Sequence, residues 1–419
     1  TACANSDVTY TTQAGQSNYV WNVPGALSTD YTITSGGTGT TSNTVTLKWL
    51  TTGSKTVTIN YTDANGCTAA SATSSTATTV NVLPTVTNST TANVCNGSGP
   101  NISLTASMGS TFSWTIGTVS GSITGQSASS GESINQSLTN ANSLTTGSVV
   151  YVVTPTSNAP ASCVGFPTEI TVTVNPVPSV SNDSLTICEN TTFTHIPSGV
   201  PTNPSTTYSW PAPSLSGAIT GTSAQSGENS VSQKLRLASG IGVATYTVTP
   251  TAGSCAGAPF TLKVMVISGS YWTGTVSNSW NVSSNWFCGE TPSATRDAII
   301  TASANVVINA AAECKNLVMA SGVTLSLGSN TLKVNGNWSN NGTFMPGTGT
   351  VEFVGNTKQA IAKSGYESFY NLTVDKNQND TLLTGNTYIL PSGTLLVKAG
   401  VLDVPENRVM FLQSAAIDT

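Results

Sequence analysis

Three sets of evenly spaced cysteines and tryptophans constrain this chain more than any other feature. Cys3, Cys95 and Cys188 lie 92 and 93 residues apart, Cys67, Cys163 and Cys255 lie 96 and 92 apart, and Trp21, Trp114 and Trp210 lie 93 and 96 apart. A chain with such a period builds one unit three times. The second and third units also match directly: residues 121–132 and 217–228 share nine identities in twelve. Short alternating apolar runs occupy equivalent places at 56–61, 149–154 and 244–249, each followed by a turn and the second cysteine. The units close with runs at 79–82, 170–174 and 262–266, and Pro84, Pro176 and Pro178 end the first two. Proline cannot donate to a β-ladder, so it terminates a strand and stiffens a junction. Units of about 90 residues with short strands and a Cys–Trp–Cys order predict immunoglobulin-like sandwiches.

From Tyr271 the pattern changes. Trp272, Trp280 and Trp286 crowd together among asparagines, and short apolar runs then recur about every ten residues between Gly and Asn turns. Such spacing suits a parallel β-solenoid, in which each coil stacks on the last. The three tryptophans have two readings: a platform on which glycans stack, or a cap on the end of the solenoid. The fold expectation is therefore all-β, with sandwiches at 1–83, 84–176 and 177–268 and a Trp/Asn-rich cap and solenoid at 269–419.

Composition removes several classes of function. Only 13 residues are Lys or Arg, so there is no basic footprint for phosphate backbones and no nucleic-acid partner is expected. His195 is the single histidine, which excludes multi-histidine metal sites and leaves one candidate base for catalysis. The 18 carboxylates, Asp297, Glu352 and Asp403 among them, are scattered rather than paired, and no Gly-x-Ser-x-Gly elbow is present. The expectation is a protein without catalysis and without a cofactor. Asp30 and Asp63 are weighed as calcium ligands, but calcium needs several convergent oxygens. Trp21, Trp114 and Trp210 are read as core residues, His195 as a surface residue. No apolar run approaches the ~18 residues of a membrane span. The first residue is not Met, and the last residues follow an apolar run without a stop signal, so the chain reads as a piece of something longer.

The eight cysteines, Cys3, Cys67, Cys95, Cys163, Cys188, Cys255, Cys288 and Cys314, contain no CxxC spacing. An even number without metal spacing indicates disulfides and an oxidising, extracellular location. One bridge per unit is the expected pairing: Cys3–Cys67, Cys95–Cys163 and Cys188–Cys255, with Cys288–Cys314 completing the set. Closing such loops would contribute about 4 kcal/mol each in the chain-entropy picture. Connectivity itself cannot be deduced from spacing.

Residues 56–67, ending Asp63-Ala-Asn-Gly-Cys67, resemble the penultimate strand and loop of PKD-like repeats in secreted surface proteins of Bacteroidota. The segment from Trp272-Thr-Gly to Asn285-Trp286, followed by Asp297-Ala-Ile-Ile, resembles one that precedes solenoid coils such as residues 316–338 in the same group. The resemblance covers essentially the whole chain. It implies PKD-like sandwiches in a cell-surface adhesin or gliding-motility protein exported by type IX secretion, although no type IX sorting domain is recognisable. It also implies O-glycans on Asp-Ser/Thr sites, which fit Ser184 and Thr381. The expected work is that of a non-enzymatic stalk or adhesin segment on the cell surface. Its expected partners are surface glycans, other cell-surface proteins or further copies of itself. A filament or sheath subunit and an accessory segment of a glycan-binding or glycan-active enzyme are the alternatives.

Overall fold

The computed structural model describes residues 1–301, 303–377, 380–384, 387–390, 392–404, 409–411 and 416–418. Apart from two single 3-10 turns, Ser283–Asn285 and Phe287–Gly289, the regular structure among them is β-strand. The chain divides into two compact units: Thr1–Val180 with Pro197–Thr207 and Pro250–Ala258, and Ser181–Ile196 with Tyr208–Thr249 and Pro259–Thr419. Packing therefore cuts across the third sandwich, whose loops at 197–207 and 250–258 belong with the second.

The sandwich strands follow from alternation. Thr44–Trp49 reads T-V-T-L-K-W; Val45, Leu47 and Trp49 point inward and are fully buried, while the threonines and Lys48 face outward. Gly147–Ser157 in the second sandwich and Gly240–Ala252 in the third alternate in the same way. Threonine suits the outer positions because its branched side chain fits a pleated surface and its hydroxyl stays wet. A hydroxyl-rich, charge-poor chain can thus still build dry sheet interiors.

One pairing is common to all three sandwiches. The first strand runs parallel to the closing strand: Ala2–Cys3 beside Thr78–Asn81, Thr91–Cys95 beside Thr168–Asn175, and Asp183–Cys188 beside Phe260–Ser268. Cys3 is thereby opposite Asn81, Cys95 opposite Asn175 and Cys188 opposite Ile267. The first cysteine of each unit lies at the trailing end, where the chain leaves. The second cysteine precedes the closing strand and lies at the leading end.

From Ser270 the chain forms the solenoid, of about five turns, with every strand pair parallel. Three strands make one coil. Ala298, Leu317, Trp338 and Ile361 stack on one face, Val306, Leu325 and Phe344 on the second, and Cys314, Val334, Phe353 and Val374 on the third. These stacks form one continuous core. One corner is held by a polar ladder: Asp297 Oδ1 accepts from Asn316 Nδ2 at 2.7 Å, Asn316 Oδ1 accepts from the Asn337 amide at 2.7 Å, and Asn337 Oδ1 accepts from the Ala360 amide at 2.9 Å.

Phe353 is fully buried in its stack. Phe353→Ala is expected to cost the solenoid about 3–5 kcal/mol. Hydrogen exchange in rising urea, read on peptides spanning 331–355, should show protection lost at lower urea; unchanged protection would contradict this packing.

Candidate functional site

The bridges do not close within units. They join Cys3 to Cys163, Cys95 to Cys255 and Cys188 to Cys288, with Cα separations of 5.5, 5.5 and 5.8 Å. Each connects the trailing end of one domain to the leading end of the next, so the expected one-bridge-per-unit pairing is corrected. The reason is length. The two cysteines of the second sandwich are held at opposite ends of Thr168–Asn175, an eight-residue strand. Seven steps along such a strand cover roughly 23 Å, whereas bridged cysteines need Cα atoms within about 7 Å. The first two bridges each span 160 residues. That equality requires the repeat period and a shift of one unit.

Two of the eight cysteines remain unbridged. Cys314 is an inward residue of the third solenoid stack, and burial pushes its thiol pKa far up, with Asp297 and Glu313 adding to the shift. Its expected partner, Cys288, is bonded to Cys188 instead. Cys67 is an exposed thiol.

The junctions carry further contacts. Between the second sandwich and the 197–207 loop, the Thr146 amide donates to Asn203 O and the Thr202 amide to Leu144 O, each at 3.0 Å. Where the third sandwich meets the solenoid, Arg296 pairs with Glu189 at 3.4 Å and with Glu290. Ser270, fully buried, donates from Oγ to the Glu290 carbonyl at 2.7 Å. Gly269 turns the chain between the two at φ 106°, a conformation that favours glycine.

The glycan platform is also corrected. Trp272, Trp280 and Trp286 are 9%, 1% and 2% exposed and join the solenoid core. Trp286 meets Trp272 and Trp280 edge to face at 5.0 and 4.9 Å and donates Nε1–H to Trp280 O at 2.7 Å. Sugar stacking needs an open ring face, and these rings cap the solenoid instead. Trp114 and Trp210 are buried, and each donates Nε1–H to a serine carbonyl at 3.2 Å; Trp21 is half-buried and donates to Ser42 O. The structure does present an aromatic pair that sequence reasoning missed. Tyr366 and Tyr388 stack at 4.3 Å, with Tyr366 47% exposed. Tyr388 is in register with Ser368, one coil of 20 residues earlier, and Tyr366 lies two residues ahead of that position.

The remaining candidates have structural partners. Asp30 accepts from the Ala26 amide and Thr51 Oγ1, which hold its carboxyl below its usual pKa. Asp63 accepts from the Asn65 and Cys67 amides. No group of three His, Cys, Asp or Glu residues suited to a metal occurs among the described residues. His195 faces Asp183 at 3.7 Å, a partner the sequence did not suggest. Ser184 is exposed beside Asp183, and Thr381 is half-buried on a solenoid strand. Among the described residues, no helix is long and apolar enough to cross a membrane.

Two solenoid acids titrate in opposite senses. Glu367 is 2% exposed; burial raises its pKa, although Asn340 Nδ2 and Trp338 Nε1 each donate to its Oε2 at 2.7 Å and Lys363 lies 4.0 Å away. For Glu352, burial also pushes upward, but Lys398 at 3.1 Å and Lys333 at 3.5 Å outweigh it and the net shift is down.

Residues 92–178 and 185–270 match the PKD-like domain family. No curated protein matches the chain. Among solved structures, the protocadherin gammaB4 extracellular domain is similar at 11% identity, covering 62% of this chain and 51% of that one, with a TM-score of 0.20. An endo-fucoidan hydrolase of glycoside hydrolase family 107 is similar at 13%, covering 64% and 43%, with a TM-score of 0.18. Fibronectin(III)-like modules of Clostridium thermocellum CbhA are similar at 14%, covering 42% and 88%, with a TM-score of 0.21. The chain spans about half the length of the first two. At these scores the likeness carries no argument about function.

Because the folded-state pKa of Glu367 is raised, its contribution is complete below its unfolded value near 4.5 and is lost as pH rises through the folded value. Glu367→Gln should therefore gain solenoid stability over the natural protein between about pH 4 and pH 7. A stability difference that stays constant across this range would contradict the assignment. For the thiols, a maleimide should label Cys67 in the folded chain and Cys314 only after unfolding. Equal labelling rates would contradict their placement.

Proposed function

We propose that this chain is a non-enzymatic segment of an extracellular surface protein, a disulfide-stapled spacer that carries a binding region away from the cell. The observation that carries this reading is the direction of the bridges. Each runs from the trailing end of one domain to the leading end of the next, so a pull along the chain passes through covalent bonds rather than through sheet hydrogen bonds. Disulfides persist outside the cytoplasm, and the PKD-like domains at 92–178 and 185–270 fit that setting. The resemblance to Bacteroidota surface proteins supports type IX export and an adhesin role. Surface glycans or neighbouring surface proteins are the proposed partners, and the Tyr366–Tyr388 stack, with Tyr366 exposed and Tyr388 half-buried, is the proposed contact for them. Ser184 stays the preferred O-glycan site because its strand leaves it exposed.

The load path is quantitative. In the oxidised chain it skips residues 4–162 and 189–287, leaving residues 164–187 between the first and third bridges. Pulled from residues 1 and 419 by force microscopy, the oxidised chain should yield no length from the skipped segments. Reduction should release loops of 160 and 100 residues, or roughly 550 and 350 Å at about 3.5 Å per residue. Equal extension with and without reductant would sink the reading.

A further inference from the structure

Cys67 stands where Cys163 and Cys255 stand in the later sandwiches. In all three, the residue after this cysteine pairs back across the same turn: Thr68 with Thr62, Val164 with Thr156, and Ala256 with Thr251. Cys163 and Cys255 are 0% and 1% exposed, and each receives the trailing-end cysteine of the domain before it. Cys67 has the same backbone setting, is exposed and has no bridge.

A second observation falls at the same end of the first sandwich. A cleft of about 490 Å³ opens there, lined by Gln13, Gln16, Asn60, Asp63 and Cys67 among others. Gln16 Oε1 is shielded from water and has no hydrogen-bond partner among the described residues.

The donor of the missing sulfur is constrained. A second copy of this chain has its trailing-end cysteines, Cys3, Cys95 and Cys188, already in bridges and its Cys314 buried, so it could offer only its own Cys67, a leading-end cysteine, whereas all three observed bridges join a trailing end to a leading end. We infer that Cys67 is the receiving cysteine for one further sandwich of the same kind, placed ahead of Thr1 in the parent polypeptide, whose trailing-end cysteine bonds it as Cys3 bonds Cys163. This inference rests on the stapled-spacer reading. The first two bridges both span 160 residues, so the same span from Cys67 places the partner roughly 90 residues ahead of Thr1. Bond formation converts two thiols to a disulfide and releases two protons and two electrons. The electrons pass by thiol–disulfide exchange to a disulfide-carrying oxidoreductase outside the cytoplasm, the same class of oxidant the other three bridges require.

The test is disulfide mapping by mass spectrometry of the parent polypeptide from its native source, alkylated and digested without reduction. The expected result is a peptide containing Cys67 joined to a cysteine roughly 90 residues ahead of Thr1. In the parent polypeptide carrying Cys67→Ser, one new free thiol per chain should appear at that upstream cysteine. A free Cys67 with Cys3–Cys163 intact would overturn this inference and leave the spacer reading standing, as would a Cys67–Cys67 link between copies. A Cys3–Cys67 bridge would overturn both.

Discussion

The parallel pairing of each sandwich's first strand with its closing strand is the constraint on which the rest depends. It is a short contact, two residues long in the first sandwich and five or six in the others. Yet it decides at which end the first cysteine lies. Antiparallel pairing would have put that cysteine at the leading end, near the second one, and a bridge inside the domain would have been possible. With the parallel arrangement the two cysteines of a domain face opposite neighbours, and each domain becomes a link with one sulfur at either end.

The solenoid meets a different constraint. Parallel coils bring the same position of successive turns together, so each inward site must suit the site above and below it. Leucine, valine and phenylalanine satisfy this by packing, and asparagine at the corner satisfies it by passing hydrogen bonds along the axis. Where a charged group enters, it is compensated: Glu367 by Asn340, Trp338 and Lys363, and Lys376 by the Thr357 carbonyl and Gln359. The bare end of the stack is closed by Trp272, Trp280 and Trp286, whose edge-to-face contacts replace the missing coil.

The fold was legible because its signals are local and repeated. Alternation marks strands such as Thr44–Trp49, and the ten-residue rhythm after Tyr271 marks solenoid turns. The capping role of the tryptophans was one of two readings, and burial selected it. The connectivity of the cysteines was hidden because it depends on which end of a strand each sulfur occupies, and strand direction within a sheet leaves little trace in a sequence. Cys314 shows a second limit. A cysteine in an inward stack acts as a small apolar residue, and nothing in its neighbours distinguishes it from one awaiting a partner. Tyr366 and Tyr388 were missed because their contact exists only across coils, at an interval of 22 residues, where neither stands out alone.

The three bridged segments, 3–163, 95–255 and 188–288, overlap. Every peptide bond between Cys3 and Cys288 therefore lies inside at least one covalent ring. A single hydrolytic cut anywhere in that span opens a ring without parting the chain. With one bridge per domain, the proline-marked junctions would have fallen outside every ring, and one cut there would have shed everything beyond it. The observed pairing places these junctions inside the rings. Exposed to foreign peptidases, such a chain would lose continuity between Cys3 and Cys288 only after a second cut or a loss of its bridges.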